Sequence, residues 1–210
     1  MLPFRFYLVT DRLHSRHPLQ TVLPTLAAAG LRAVQVREKD LAPAALYALA
    51  LSLREAVIAH THPAALEFYL NDRADLALSL GFAGVHLRED SLPLARQAPL
   101  LRERLRFGVS THGVEGVLAA EAAGAAFATF GPIFETASKQ AYGPPVGLKL
   151  LEQAARKSRL PLLALGGIRP ERVKACREAG AWGVAAISAV WEAEDPLAAL
   201  AAFGDALGGL

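Results

Sequence analysis

The chain has 210 residues, 53% hydrophobic and 20% charged, with 22 Lys and Arg against 20 Asp and Glu for a formal net charge of +2. That apolar share exceeds the ~45–50% of ordinary soluble chains and excludes a largely disordered protein; the balanced charge and 7% aromatic content argue against a nucleic-acid partner. One cysteine, Cys176, excludes an internal disulfide, and no apolar run reaches the ~20 residues that span a bilayer, so the expectation is a cytoplasmic protein without a membrane partner.

In chain order, the N-terminus passes directly into charged Asp11 and Arg12, unlike a secretory signal. Residues 5–9 are a short apolar run, and runs of the same kind recur at 33–37, 66–70, 84–87, 106–109, 127–130, 161–165 and 183–187. Rich in Val, Phe and Tyr, they read as strands. Between them lie Ala-, Leu-, Arg- and Glu-rich segments at 19–29, 42–59, 73–80, 92–100, 114–123, 148–157 and 170–179, with a terminal one at 197–207. Each is long enough for a helix. Gly30, Gly81, Gly124 and Gly180 stand where helices should close with a left-handed residue, and Asp40 precedes Leu41-Ala42-Pro43 as a candidate N-cap. Eight strand–helix units predict an α/β fold, a single (βα)8 TIM barrel over residues 1–210. A doubly wound sheet is the alternative, but no glycine-rich fingerprint follows the first strand.

Function in such a barrel gathers where strands end and the following loops begin. Those positions hold Asp11 and Arg12, then Arg37 to Asp40, Asn71 to Arg73, His86 to Asp90, Ser110 to His112, Thr136 with Ser138 and Lys139, Gly166-Gly167, and Ser188. Polar residues at one end of every strand are the main argument for an enzyme. Arg37, Lys39 and Lys139 are cations; Asn71, Ser110, Thr136 and Ser138 are neutral donors. Together they suit phosphate or diphosphate oxygens. Gly166-Gly167 lets backbone N–H groups approach an anion. Asp72 with Glu89 or Asp90 offers hard oxygen ligands for Mg²⁺. Plainer readings stand beside each signal: a solvated charge run for 37–40, a tight turn for Gly166-Gly167, a helix cap for Asp72, and ordinary hydrogen-bonded histidines for His86 and His112. Their gathering at one rim is what favours a site.

These residues also carry a resemblance. Tyr7-Leu-Val-Thr-Asp-Arg12, Gln35-Val-Arg-Glu-Lys-Asp40, Asn71-Asp-Arg-Ala-Asp75, Gly84-Val-His-Leu87 and Gly108-Val-Ser-Thr-His112 resemble the thiamine phosphate synthases and their TenI-type thiazole tautomerase paralogues. So do the Phe130-Gly-Pro-Ile-Phe loop with its Thr-Ala-Ser-Lys139, Pro144-Pro-Val-Gly-Leu148, Ala164-Leu-Gly-Gly-Ile168 and Val184-Ala-Ala-Ile-Ser-Ala189. The resemblance implies that Gln35, Arg37, Lys39, Asn71 and Ser110 contact the diphosphate of hydroxymethylpyrimidine diphosphate, with Lys139 reaching it from the sixth loop. It implies a phosphate seat for the thiazole substrate at Thr136, Ser138, Gly167, Ile187 and Ser188. It also implies Mg²⁺ at Asp72.

One departure matters. After Val85-His-Leu87 the synthases usually carry Gly-Gln-x-Asp, whose Asp is the second Mg²⁺ ligand; this chain has Arg88-Glu-Asp-Ser91. Asp90, or Glu89, is then the substitute ligand. The expectation is a thiamine-biosynthesis enzyme acting on small phosphorylated substrates, first as the synthase with Mg²⁺. The alternative is a metal-free tautomerase with His112 as acid and base. A non-catalytic thiazole phosphate-binding or regulatory paralogue is the third reading. A homo-oligomer is compatible with such a barrel, with Trp182 and Trp191 as either interface or core residues.

Overall fold

In the computed structural model, which describes residues 2–62, 66–97, 99–136 and 144–210, short strands pair in parallel in sequence order and the eighth returns to the first. The strands are β1 (Phe6–Val9), β2 (Ala33–Val36), β3 (Glu67–Asn71), β4 (Gly84–Leu87), β5 (Arg106–Thr111), β6 (Phe127–Phe130), β7 (Leu162–Ala164) and β8 (Gly183–Ala186). Closure is set by register: Leu8 lies opposite Val34 on one side and Ala186 on the other. The expected (βα)8 barrel is the observed fold.

Alternate residues of each strand face opposite ways, so each strand feeds two cores. One set packs outward beneath the helices: Phe6, Leu8, Val34, Val36, Phe68, Leu70, Val85, Leu87, Ala128 and Phe130 are all buried there. The other set fills the barrel, where Tyr7, Tyr69, Phe127 and the N-terminal Phe4 make mostly edge-on ring contacts 5.2–5.9 Å apart. Gly84 and Gly108 make room for them, since a Cβ at Gly108 would lie 2.5 Å from the Phe127 ring. Beneath the aromatic layer, Arg106 meets Glu67 at 2.5 Å. The barrel interior is therefore plugged from below, and small polar side chains occupy its upper end.

Helices α1 (Leu19–Ala28), α2 (Pro43–His60), α3 (Ala74–Ser79), α4 (Pro99–Arg104), α5 (Val114–Ala122), α6 (Gly147–Lys157), α7 (Pro170–Glu178), α8 (Ser188–Trp191) and α9 (Pro196–Leu207) surround the strands. The four expected closing glycines all adopt positive φ. Three details differ from the sequence reading. The segment at 92–100 is a 3₁₀ turn over Leu94–Arg96 followed by α4, because Pro99 lacks the N–H to continue a helix and instead begins one. A short helix, α8, follows β8 directly. Asp40 does not cap α2, whose N-cap is Ala42; its carboxylate is drawn instead to Arg12.

Both tryptophans are used within the chain. Trp191 is buried and donates its indole N–H to the Val9 carbonyl at 2.7 Å, while Trp182 donates to Phe4 at 2.8 Å under the Arg5 guanidinium. Cys176 lies buried in α7 with its thiol pushed up to about 11 by that burial, which makes it an inert core residue. No described helix is long and apolar enough to cross a membrane.

Candidate active site at the barrel mouth

The upper interior layer is built from inward-facing residues at the ends of β2 to β6. Gln35 of β2 is buried and donates through Nε2 to Asn71 Oδ1 of β3 at 3.2 Å; Asn71 Nδ2 donates to Asp72 Oδ2 at 3.1 Å. On the far side, His86 Nε2 lies 3.1 Å from Ser110 Oγ and 3.3 Å from Thr129 Oγ1. Burial, the largest cause, pushes the His86 imidazole down to about 3; nearby Arg37 lowers it further and Asp72 opposes. The ring is therefore neutral across ordinary pH. The result is a floor of amide, hydroxyl and neutral imidazole groups, in which Gln35 bonds Asn71 and Ser110 lies against His86.

The cations stand above this floor, on a loop that is braced rather than loose. Thr10, at the end of β1, donates its hydroxyl to buried Glu38 at 2.6 Å and accepts the Arg37 N–H at 2.9 Å. Glu38 also accepts from the Arg12 N–H at 3.2 Å and from Arg12 Nη1 at 3.1 Å, while Arg12 forks onto Asp40. The run 37–40 is thus not a solvated face: one of its acids is in the core and the other is paired. Both acids of the run are thus engaged by Arg12. Lys39 shows the crowding of cations there. Its ammonium is pushed below the usual lysine range, first by partial burial and then by Arg37 and Arg88, against the opposing pull of Asp90 and Asp72.

Asp72 adopts a left-handed backbone conformation, φ 59°, immediately after β3. Such a conformation costs a non-glycine residue energy and places its side chain where an ordinary turn would not. Its carboxylate does not cap α3. Oδ2 accepts from Arg88 Nε at 2.6 Å as well as from Asn71, and Oδ1 accepts from the Ser91 hydroxyl and from the Arg88 N–H at 3.3 Å. Asp90 faces the same Arg88 Nε at 3.3 Å and is largely exposed; Glu89 faces His112 Nε2 at 3.8 Å. Mg²⁺ asks for free carboxylate oxygens in near-octahedral array. Here both oxygens of Asp72 are already engaged, and a guanidinium stands between Asp72 and Asp90. Among the described residues no group of three or more His, Cys, Asp or Glu is gathered as a metal site. The donor set does not fit a Mg²⁺ held by Asp72 and Asp90.

Across the mouth, His112 Nδ1 contacts the Gly131 carbonyl, so Nδ1 carries the proton and donates it, leaving Nε2 as the basic atom of the neutral ring. The loops after β6 and β7 are laced together: the Ile133 N–H bonds Leu165 O at 2.8 Å and the Phe134 N–H bonds Gly166 O at 3.0 Å. Both glycines have positive φ, and a Cβ at Gly167 would lie 2.5 Å from Glu135 O. The pair therefore serves close loop packing as well as any anion, and the Gly167 carbonyl is held by Arg172 at 2.5 Å. Ile187 is half-buried after β8, and Ser188 opens α8 and is exposed. Thr136 is half-buried at the end of the described loop. Ser138 and Lys139 lie outside the described residues.

Sequence reading missed Thr10 and Glu38 as the brace and Arg88 as the partner of Asp72. No local spacing reveals the first pair, which is 28 residues apart. The Arg88 signal was present in the sequence: an arginine where the resembling motif has glycine.

Comparison with known proteins agrees with the geometry. A family model described as thiamine monophosphate synthase matches residues 6–190. The chain is 37% identical over 200 residues to a thiamine-phosphate synthase of Roseiflexus castenholzii, covering 95% of this chain and 86% of that one. It is 40% identical over 179 residues to one of Chlorobium luteolum, covering 85% and 82%. Among solved structures, thiamine phosphate pyrophosphorylase from Pyrococcus furiosus superposes with a TM-score of 0.82 at 27% identity, over 97% of this chain and 95% of that one. A barrel of this topology, with phosphate-type donors at its mouth and a family match spanning β1 to α8, has one reading: the chain belongs to the thiamine monophosphate synthase family.

Proposed function

We propose that this chain, as a single barrel domain, joins hydroxymethylpyrimidine diphosphate to a thiazole phosphate, giving thiamine phosphate and free diphosphate. The observation that carries this reading is the Lys39 ammonium, within electrostatic reach of Arg37, Arg88 and Asp72 at the end of the Gln35–Asn71–Asp72 chain, an arrangement suited to a leaving group that gains negative charge. In the reaction, the bond between the pyrimidine methylene carbon and the bridging diphosphate oxygen breaks. Its electron pair leaves with the diphosphate, and the thiazole nitrogen donates its lone pair to the methylene cation.

The residues divide the work accordingly. Arg37 and Lys39 hold the diphosphate, with Gln35, Asn71 and Ser110 donating to its oxygens and Lys139 joining from the sixth loop. Thr136, Ser138, Gly167, Ile187 and Ser188 seat the thiazole phosphate across the mouth. Mg²⁺ is the cation that the resemblance implies for diphosphate chemistry, but the engagement of Asp72 by Arg88 and Ser91 leaves no step assigned to it here. The test is to supply both phosphorylated substrates and measure thiamine phosphate and released diphosphate. Absence of both products beside an active control enzyme sinks this reading.

A second reading rests on His112. Its Nδ1 is held by Gly131, and its Nε2 is the basic atom at the mouth, which suits proton transfer on a carboxylated, non-aromatic thiazole phosphate. In such a tautomerisation, His112 removes one ring proton and returns one at another position, so that the ring becomes aromatic with no net loss of atoms. Turnover of that isomer by the wild type, lost in His112→Asn, supports the tautomerase; an unchanged rate in the variant removes His112 from the role.

A further inference from the structure

We infer that the Arg88 guanidinium takes the place of a metal ion at Asp72, so that the mouth binds the diphosphate of its substrate without Mg²⁺. The inference rests on the diphosphate reading above and deepens it. Asp72 presents a carboxylate saturated by this chain's own donors: Arg88 Nε at 2.6 Å and Asn71 Nδ2 at 3.1 Å on one oxygen, the Ser91 hydroxyl and the Arg88 N–H on the other. A metal ion entering here would first have to break an ion pair. Ser91 is equally committed, since its hydroxyl accepts the Arg88 N–H at 2.8 Å while donating to Asp72.

Two of the departures from the resembling motif, Arg88 for glycine and Ser91 for the carboxylate, meet at Asp72. Where a divalent ion would lie between two carboxylates, the guanidinium lies against Asp72 with Asp90 on its exposed side, and Ser91 bonds Asp72 and the Arg88 backbone N–H. Exchanging glycine for Arg88 supplies a fixed positive charge at Asp72, and exchanging a carboxylate for Ser91 removes one ligand a divalent ion would need. Geometry supplies the second argument. The shortest contacts of Arg88 to Asp72 and to Asp90 both run through Nε rather than through the terminal guanidinium nitrogens. Those terminal nitrogens form the planar fork that matches phosphate oxygens. The tether to Asp72 holds the guanidinium within electrostatic reach of the Lys39 ammonium, which Arg37 also reaches.

Binding of inorganic diphosphate, followed calorimetrically in EDTA and again in excess Mg²⁺, tests this directly. The wild type is expected to bind in both, with affinities within about twofold. Arg88→Ala should weaken binding in EDTA by roughly tenfold or more while still melting cooperatively. The double variant Arg88→Gly/Ser91→Asp, which rebuilds a carboxylate pair, should bind only when Mg²⁺ is present. Wild-type binding that requires Mg²⁺ overturns the role of Arg88 and leaves the diphosphate reading intact; no binding in either medium overturns both. A folded Arg88→Ala that binds as the wild type does in EDTA reduces Arg88 to a fastening for the loop. The wild-type comparison needs no variant and stands even where Arg88→Ala fails to fold.

Discussion

The Thr10 hydroxyl donates to the Glu38 carboxylate at 2.6 Å, joining the ends of β1 and β2 beneath the loop that carries Arg37 and Lys39. Because Thr10 Oγ1 also accepts the Arg37 N–H at 2.9 Å, one buried pair sets where that arginine leaves the barrel. Glu38→Gln keeps the shape and removes the charge that gathers Thr10, the Arg12 amide and the Arg12 guanidinium. A loss of about 1–3 kcal/mol in unfolding free energy is expected. The KM for the diphosphate substrate should rise more than kcat falls, because a positioning residue and not a contact has been changed. Denaturant titration with steady-state kinetics checks both.

Lys39 holds its proton less tightly than an ordinary lysine, because of partial burial and then its two arginine neighbours. A lowered pKa in a cation means that charge is lost at a lower pH than usual. Affinity for inorganic diphosphate should therefore begin to fall on the alkaline side below the ordinary lysine value of 10.5. Lys39→Arg should remove that decline, since guanidinium keeps its charge. A pH series of binding isotherms on the wild type and Lys39→Arg provides the check, and identical alkaline profiles would refute the assignment.

His86 gives a stability signature in acid. Its folded-state pKa of about 3 lies below the ordinary 6.5, so between those values the unfolded chain binds the extra proton. Stability is then fully present above about pH 6.5 and lost as pH falls toward 3, with a slope from this residue of up to ~1.4 kcal/mol per pH unit. His86→Asn should flatten the curve in that window. Thermal melts from about pH 4 to about pH 8 measure the difference.

Gly167 has φ 63°, and a Cβ there would meet Glu135 O at 2.5 Å and Phe134 Cβ at 2.9 Å. Gly167→Ala combines backbone strain with a clash against the loop after β6, and is expected to cost about 1–3 kcal/mol. Since that loop lines the proposed phosphate seat, the KM for the thiazole substrate should rise while that for the diphosphate substrate changes little. Separate KM measurements for the two substrates decide it.

Most of the scaffold was legible before any coordinates. Gly84–Leu87 and Phe127–Phe130 are strands at the boundaries read from their apolar pattern, and the closing glycines take the positive φ their positions called for. Within the candidate site, Asn71 and Ser110 stand at one rim because each lies where a strand ends, whereas Gln35 came only from the family resemblance. Less legible was the segment at 92–100, where two short turns replace one helix because a proline interrupts an otherwise helical composition.

The sequence by itself determined the fold class and the end of the barrel at which chemistry gathers, since apolar period and strand-end polarity are local properties. Tertiary structure alone decided which charges are spent on one another. Glu38 is committed to Thr10 and Arg12, Asp72 to Arg88 and Ser91, and His112 Nδ1 to Gly131. Each of these pairs joins loops from neighbouring strands, and only the register of the closed barrel brings such loops within hydrogen-bonding distance. The polar residues at the strand ends predict a diphosphate site with a metal. The contacts between the loops show that one carboxylate of that pair is already neutralised by an arginine.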